Sequence, residues 1–445
     1  MMKKLCSGAM NVKPDLVTFN IICNGLSKAG MVDQALVYMG LLFKLCVPSV
    51  VTYGIFIDMY CKLNHYNMGL KVLRDIKSRA INPNLHMYTS LIDGYCKTGK
   101  LEVAMGLFQE LHRSSIMANL VTYASLIGGF VRQGMLERAE CLLFKMLEDG
   151  IQPNSVIYTT MIDGEFKKGN IEGALKFLTR MHHQGIRLDV TAYGAIISGL
   201  CSMGKLDWAV EVKQDMMNWG LEPDHIIFTT LMHAYFKAGD LKAALHEYKE
   251  SLVSGFEPDV VLLTTLIDGL CKNGHLHEAK GHFSKETANS ISYTVLVDGM
   301  SKGGELSIIE MICKEMMEAG FVPDKYFYTS WIAGLCRQGD LVAALRVKRK
   351  MDNEGISPDL LTYSSLIFGL AHKGYMIEAQ HVFDDMLKQG ITPDGAVYSI
   401  LIRGYAKEDN TVAISHLHEE MTKRGLHQKE MLDQKCMIYK KLIMV

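Results

Sequence analysis

The sequence predicts an all-α protein, an α-solenoid (superhelix) of about twelve tandem helix-turn-helix repeats of about 35 residues each. Three observations predict this fold. The prolines are evenly spaced, an aromatic residue recurs at one fixed distance after them, and a glycine recurs at a second fixed distance. A constant period of about 20 to 50 residues is typical of stacked repeat proteins, in which each unit packs on its neighbours.

All nine prolines fall in one register, with separations of 34, 35, 70, 70, 35, 65, 35 and 35 residues. Ala118 and Leu188 stand at the proline position inside the two gaps of 70, and the gap of 65 contains one repeat shortened to 30 residues. We therefore expect an incomplete N-terminal repeat at 1–15, twelve repeats over 16–429 and a C-terminal tail helix at 430–445. The predicted repeats begin at Leu16, Val50, Leu85, Leu120, Ser155, Val190, His225, Val260, Ser290, Lys325, Leu360 and Gly395.

Each repeat opens with the pattern of an amphipathic helix of about thirteen residues. The fourth position is aromatic in every repeat except one, where it is Leu263, and further apolar residues follow at helical spacing. The fifteenth position is glycine except for Asn64 and Asp409. These three residue types adopt the left-handed conformation that commonly ends a helix, so we expect the first helix to end there.

A second helical pattern follows and runs to a turn such as Gly355 to Asp359. Proline lacks an amide donor and restricts the residue before it, so we expect the proline of this turn to end the second helix. Each repeat is then an antiparallel pair of helices.

Composition excludes several classes of protein. Basic and acidic residues number 47 and 48, so the net charge does not by itself predict a polyanionic partner. The longest apolar stretch is too short to span a bilayer, and we expect no membrane insertion. The eleven cysteines form no CxxC pair and follow no secretory leader, which favours reduced thiols inside a cell.

The repeats resemble the pentatricopeptide repeat (PPR) family of plants, over residues 1 to about 429. The segment VTYASLIGGFVRQGMLERAECLLFKMLEDGIQPN, residues 121–154, begins at the second position of the repeat that starts at Leu120. Counted from Leu120, it shows the shared pattern: an aromatic at four, Gly at ten, Lys or Arg at thirteen, Gly at fifteen and Pro followed by Asp or Asn at the end. The array of 35-residue units resembles the P subclass. Tetratricopeptide repeats have a similar helix pair but a period of about 34 residues and a pattern that these units lack.

The thirteenth position is cationic in ten of twelve repeats. Because each repeat places this residue near the end of its first helix, we expect the cations to line up as a basic stripe suited to an RNA phosphate backbone. Compensation of the helix dipole is the alternative. The residues are Lys28, Lys62, Lys97, Arg132, Lys167, Lys237, Lys272, Lys302, Arg337 and Lys407.

The resemblance implies that the fifth residue of a repeat and its last residue together recognise one RNA base. Thr or Ser with Asp then favours G, Thr or Ser with Asn favours A, and Asn with Ser favours C, so the expected target is the purine-rich C-A-A-n-G-G-G-A-G-G-G-n. The alternative is that these residues only cap helices or form turns. The pairs are Asn20 with Ser49, Gly54 with Asn84, Thr89 with Asn119, Ala124 with Asn154, Thr159 with Asp189, Gly194 with Asp224, Thr229 with Asp259, Thr264 with Asn289, Thr294 with Asp324, Thr329 with Asp359, Ser364 with Asp394, and Ser399 with the atypical Lys429.

No catalytic or metal-binding motif stands out, and we expect neither an enzyme nor a cofactor. There is no P-loop, HExxH or nucleophile elbow. His418 and Glu420 match half of a zinc-deaminase signature, but no Pro-Cys-x-x-Cys follows. The cysteines at position twelve lie one or more repeats apart, which favours helix packing over metal binding.

The predicted function is sequence-specific binding of single-stranded RNA, one nucleotide per repeat, in organellar RNA processing, stability or translation, with other RNA-processing proteins as potential partners. The resemblance implies a mitochondrial or, alternatively, a chloroplast location, although no targeting peptide is visible. Two alternatives stay open. One is a protein-binding scaffold, since solenoids also bind peptides. The other is a nonfunctional fragment of a longer PPR protein, since Met1 falls at about position 21 of a repeat.

Overall fold

The fold was analysed in a computed structural model that describes residues 15–283 and 288–426. These two ranges contain α-helices throughout and no β-strand, which confirms the predicted all-α class. The chain divides into two compact units, Met1–Pro223 and Asp224–Val445. The expected tail helix, Lys429 and most of the incomplete first repeat lie outside the described residues.

The first unit is a stack of six antiparallel helix pairs, each helix being thirteen or fourteen residues long. In each pair the first helix contacts its own second helix, and in the first five pairs it also contacts the first helix of the next repeat. The helices are α1 (Leu16–Lys28), α2 (Val32–Leu45), α3 (Val50–Lys62), α4 (Tyr66–Ser78), α5 (Leu85–Lys97), α6 (Leu101–Arg113), α7 (Leu120–Arg132), α8 (Leu136–Glu148), α9 (Ser155–Lys167), α10 (Ile171–His183), α11 (Val190–Ser202) and α12 (Leu206–Asn218).

The second unit repeats this arrangement, with two irregular second helices. One is cut to seven residues in the shortened repeat, and the next opens with a 3-10 turn at Leu306–Ile308. Each first helix in both units begins at the repeat start expected from the proline spacing. The helices are α13 (His225–Ala238), α14 (Leu241–Val253), α15 (Val260–Lys272), α16 (Leu276–His282), α17 (Ser290–Gly303), α18 (Ile309–Glu318), α19 (Lys325–Gln338), α20 (Leu341–Asn353), α21 (Leu360–His372), α22 (Met376–Lys388), α23 (Gly395–Lys407) and α24 (Thr411–Lys423).

The first helices end where the fifteenth residue turns left-handed. The two non-glycine residues at this position, Asn64 and Asp409, have φ values of 59° and 53°. The sequence pattern therefore located these helix ends, because glycine, asparagine and aspartate tolerate this conformation best.

The second helices do not end at proline, which corrects the expectation for that turn. Helix α20 ends at Asn353, and Gly355 is left-handed. The amide of Ile356 then donates to the carbonyl of Met351, five residues earlier, at 3.1 Å, and this bond is characteristic of a Schellman motif. Pro358 lies beyond this motif, immediately before the residue that caps the next first helix.

The core contains the fourth-position side chains of all twelve repeats, each at most 6% exposed. Consecutive first helices approach closely because the tenth position is usually glycine. A Cβ atom at Gly129 would lie 2.8 Å from the side chain of Cys96, and one at Gly369 would lie 2.8 Å from that of Cys336. These cysteines occupy position twelve of the preceding repeat, so helix packing accounts for them.

Candidate nucleic-acid interface

The last residue of each repeat caps the next first helix. In all twelve such positions from Asp15 to Asp394, a side-chain oxygen accepts a hydrogen bond from the backbone amide three residues further on. At Asp259 this bond is 2.8 Å long, and at Asn119 it is 3.0 Å. The capping alternative is therefore present in the structure. Capping also fixes one oxygen of each last-position side chain, and where that residue is Asp or Asn a second polar atom remains on it, which Ser49 lacks.

The fifth-position side chains lie one turn inside the first helix. Most of their hydroxyl groups donate to the carbonyl four residues earlier, as Thr229 does to His225 at 2.7 Å and Thr294 to Ser290 at 3.0 Å. Thr329 is only 4% exposed and Ser364 is fully buried. These two residues therefore offer a base far less surface than the half-buried Thr229.

In three repeats, a hydroxyl group joins the two members of a predicted base-recognition pair. The Thr89 and Thr122 hydroxyl oxygens lie 2.8 Å apart, and the Thr122 hydroxyl donates to Asn119 Oδ1 at 3.0 Å. The connecting residue is the third of the next repeat. Thr362 connects Thr329 with Asp359 in the same way, and Ser292 connects Thr264 with Asn289.

A groove of 660 Å³ in the first unit brings several predicted site residues together. Its lining includes the pair Thr159 and Asp189, the cations Arg132 and Lys167, and the second-position residue Val156. Asp189 also accepts a hydrogen bond from the Ser155 hydroxyl at 3.0 Å. Polar, cationic and apolar side chains thus line one groove, together with the carboxylate of Asp163.

The second position carries apolar side chains that are open to solvent. In eight repeats they are between 56% and 62% exposed. His86 stands at this position and contacts the Asp58 carboxylate at 2.7 Å. The eight residues are Val17, Val51, Val121, Val156, Ile226, Val261, Ile291 and Tyr326.

In the first repeat, the structure leaves a predicted site atom without a partner. Asn20 Oδ1 is buried and has no hydrogen-bond partner among the residues that the structure describes.

The cations at position thirteen are exposed, except for the half-buried Arg337, but several are already ion-paired. In four repeats an aspartate at position nine lies one turn earlier, and its carboxylate is 2.6–2.7 Å from the lysine Nζ. Lys62 instead donates to the Ser27 backbone carbonyl at 3.0 Å. The four pairs are Asp93 with Lys97, Asp163 with Lys167, Asp268 with Lys272, and Asp298 with Lys302.

Apart from Lys62, whose repeat has Asp58 at position nine, the other predicted cations lie in repeats without a carboxylate at that position. Lys28, Arg132, Lys237 and Lys407 follow Asn24, Gly128, His233 and Arg403 at that position. None of these four cations forms an ion pair with a residue in 15–283 or 288–426. The ninth-position carboxylates and third-position hydroxyls were missed at the sequence level, although both recur at fixed positions.

Burial disfavours the thiolate form, which binds metals and acts as a nucleophile, in four of the cysteines at position twelve. Burial raises the pKa of Cys61, Cys96, Cys271 and Cys336 to about 12, so each thiol stays protonated near neutral pH. Elsewhere in the described ranges, His246, Glu247 and Glu250 of α14 place ligand atoms within 4.8 Å of one another. No described helix is long and apolar enough to cross a membrane.

Sequence models of this repeat match almost the whole described chain. The model of the PPR repeat family matches residues 48–92, 84–132, 118–164, 153–202, 326–372 and 365–407. Two PPR repeat models match residues 10–37 and 254–285, and residues 191–221, 291–321 and 396–426. The pentatricopeptide repeat domain model matches residues 211–250. The chain belongs to the pentatricopeptide repeat family.

Solved PPR structures resemble this PPR protein in fold. The crystal structure of PPR10 from maize is 22% identical, covers 92% of this chain and 69% of its own, and has a TM-score of 0.50. PPR10 in complex with an 18-nt psaJ RNA element is 20% identical, with coverages of 96% and 78% and a TM-score of 0.49. The PPR domain of Arabidopsis thaliana PRORP1, in complex with tRNA, is 19% identical, with coverages of 40% and 94% and a TM-score of 0.34. No curated protein sequence matches the chain.

Proposed function

We propose that this PPR protein binds single-stranded RNA in a sequence-specific manner, one nucleotide per repeat, with the N-terminal repeats at the 5′ end. The observation that carries this proposal is the cap bond shared by the last-position side chains at all twelve described positions from Asp15 to Asp394. Family membership and the RNA complexes of PPR10 and PRORP1 are consistent with it.

Capping supplies a physical reason for the difference between Asp and Asn. Once one oxygen accepts the backbone amide, aspartate has a second oxygen, which is an acceptor, whereas asparagine has an amide nitrogen, which is a donor. Guanine presents donors on its Watson–Crick edge at N1 and N2, and adenine presents the acceptor N1. The same backbone geometry therefore favours G with Asp259 and A with Asn119.

The expected target is C-A-A-n-G-G-G-A-G-G-G-n. The second and sixth letters depend on repeats with glycine at position five. The contributions of Thr329 and Ser364 should be small, because both side chains are buried. We further propose a P-subclass protein that acts without a catalytic site, in a mitochondrion or alternatively a chloroplast, and protects, processes or exposes a transcript.

Synthetic oligomers test the base assignments. The purified chain should bind CAAUGGGAGGG more tightly than its complement, measured by fluorescence anisotropy in lithium chloride, which suppresses guanine quadruplexes. Equal affinity for the two strands would refute the assignments, and no binding to either would refute the proposed function.

A single exchange tests whether one repeat recognises one nucleotide. Asp259→Asn keeps a capping side chain but replaces an acceptor by a donor, so the preferred seventh nucleotide should change from G to A by roughly tenfold. Asp240→Asn is the matched control, because Asp240 caps the second helix α14 through the same type of bond. A change of preference at any other nucleotide, or in the control, would contradict one-to-one recognition.

Charge reversals test the contact with phosphates. Replacing Lys97, Lys167 and Lys237 with Glu should weaken every RNA alike, because phosphate contacts carry no sequence information. The control replaces three exposed lysines of second helices, Lys44, Lys71 and Lys242. If the first set has no greater effect than the control, the basic stripe does not contact RNA, and a protein-binding scaffold becomes the better description.

A further inference from the structure

The cations of the proposed RNA-binding surface differ in whether a carboxylate lies beside them. Four of the ten thirteenth-position cations have a carboxylate within 2.7 Å on the preceding helical turn. In the first unit, Asp163 and Lys167 both line the groove that contains Thr159 and Asp189. A phosphate that approaches Lys167 would therefore meet the carboxylate of Asp163 as well.

We infer that Asp93, Asp163, Asp268 and Asp298 limit the sequence-independent attraction of this surface for RNA, an inference that rests on the proposed function. Each Asp–Lys pair has no net charge, and its field falls off within the screening length of about 8 Å at physiological salt. Such a pair displaces few counterions when RNA binds. The sequence-independent part of the affinity then depends on Lys28, Lys62, Arg132, Lys237 and Lys407.

Helix stabilisation is the competing explanation for these pairs. Aspartate one turn before lysine is a favourable arrangement for an isolated helix. The same arrangement occurs on second helices, where Asp75 pairs with Arg79 at 3.1 Å and Glu419 with Lys423 at 2.9 Å. The two explanations predict the same effect on stability but different effects on RNA binding.

The salt dependence of the unmodified protein gives the first measurement. For single-stranded RNA, log K falls against log salt by about 0.7 per neutralised phosphate. Ten equivalent cations would give a slope of magnitude about 7, whereas five effective cations give about 3.5. We expect a slope of magnitude about 3.5, and a slope near 7 would overturn the inference.

The second measurement removes three carboxylates without removing any cation. In the triple variant D93N, D163N and D268N, the slope should steepen by up to about 2, and affinity for target and complement alike should rise roughly fivefold or more. Asp298 is left unchanged because it also accepts a hydrogen bond from Ser330.

A matched triple variant neutralises Asp75, Glu310 and Glu419, each ion-paired one turn away on a second helix. Its RNA affinity and slope should stay at the wild-type values. The inference fails if the two triple variants behave alike. It also fails if the first triple variant binds only one of the two RNAs more tightly than wild type does, since that result would place the carboxylates at base edges. If the wild type binds no RNA at all, it is the proposed function that fails.

Discussion

Replacing Gly269 with alanine should disrupt the contact between two consecutive first helices of the second unit. Gly269 lies in α15 at position ten. Three ring carbons of Phe236, in α13, would lie within 2.5 Å of a Cβ atom built at this glycine. Carbon atoms in contact normally lie about 3.5–4.0 Å apart, so the ring or the helix must move by at least about 1 Å.

Two opposing terms set the size of the effect. Alanine is about 1 kcal/mol better than glycine in a helix interior, whereas overpacking a core typically costs 1–3 kcal/mol. Because the required displacement is large, we expect a net loss of about 1–2 kcal/mol in the free energy of unfolding. Gly106→Ala in α6 is the matched control. A Cβ atom there has open space around it, so this variant should gain up to about 1 kcal/mol.

A double-mutant cycle isolates the contact. Urea denaturation of the full chain, with hydrogen exchange of α13 and α15 as a local measure, should show that Gly269→Ala destabilises the wild type. The same substitution should be neutral or stabilising when Phe236 is alanine, because the new methyl group then has room. An equal loss in both backgrounds, or a gain as large as that of Gly106→Ala, would refute the close-approach explanation.

Three further predictions concern single residues. Ala80 is left-handed with φ of 57° where most repeats have glycine, so Ala80→Gly should raise the free energy of unfolding by up to about 1 kcal/mol in urea denaturation. The Tyr328 hydroxyl donates to a carboxylate, whereas the buried Tyr293 hydroxyl has no partner among the described residues. In the same assay, Tyr328→Phe should therefore lower the free energy of unfolding by about 1 kcal/mol, and Tyr293→Phe by less than about 0.5 kcal/mol. The Tyr123 hydroxyl lowers the pKa of Asp149. Wild type should therefore be more stable than Asp149→Asn at neutral pH, and this difference in the free energy of unfolding should disappear as pH falls below about 4. An unchanged difference at pH 3 would contradict this assignment.

The repeat frame was predictable because local chemistry sets it. A capping residue, preceded by proline in nine of the twelve repeats, marks the start of each first helix. A residue that tolerates positive φ marks its end, so both ends can be located without knowledge of packing. The second helices were harder to delimit. Their ends depend on left-handed residues that include Ala80 and Ser115, for which the sequence carries no glycine signal.

The site was only partly predictable because burial depends on the neighbouring repeat. Thr229 and Ser364 occupy the same position and both donate to the carbonyl four residues earlier, yet Ser364 is fully buried and Thr229 is half-buried. The spacing within one repeat cannot distinguish them. The pairing of Asp93 with Lys97, in contrast, is favoured by a separation of four residues within a helix, although Asp58 and Lys62 have the same separation and contact His86 and Ser27 instead.

Under the proposed function, capping and base recognition would reinforce each other at the last position of each repeat. A side chain that was free to rotate would lose conformational entropy on meeting a base, and could present either of its polar atoms. At Asp259 the cap bond fixes which oxygen remains, and helix stability keeps that bond in place before RNA arrives. The exchange of aspartate for asparagine then changes the hydrogen-bonding character of one atom and leaves the fold unchanged. Under the proposed function, the same repeat architecture would then recognise a different base after the exchange of a single residue.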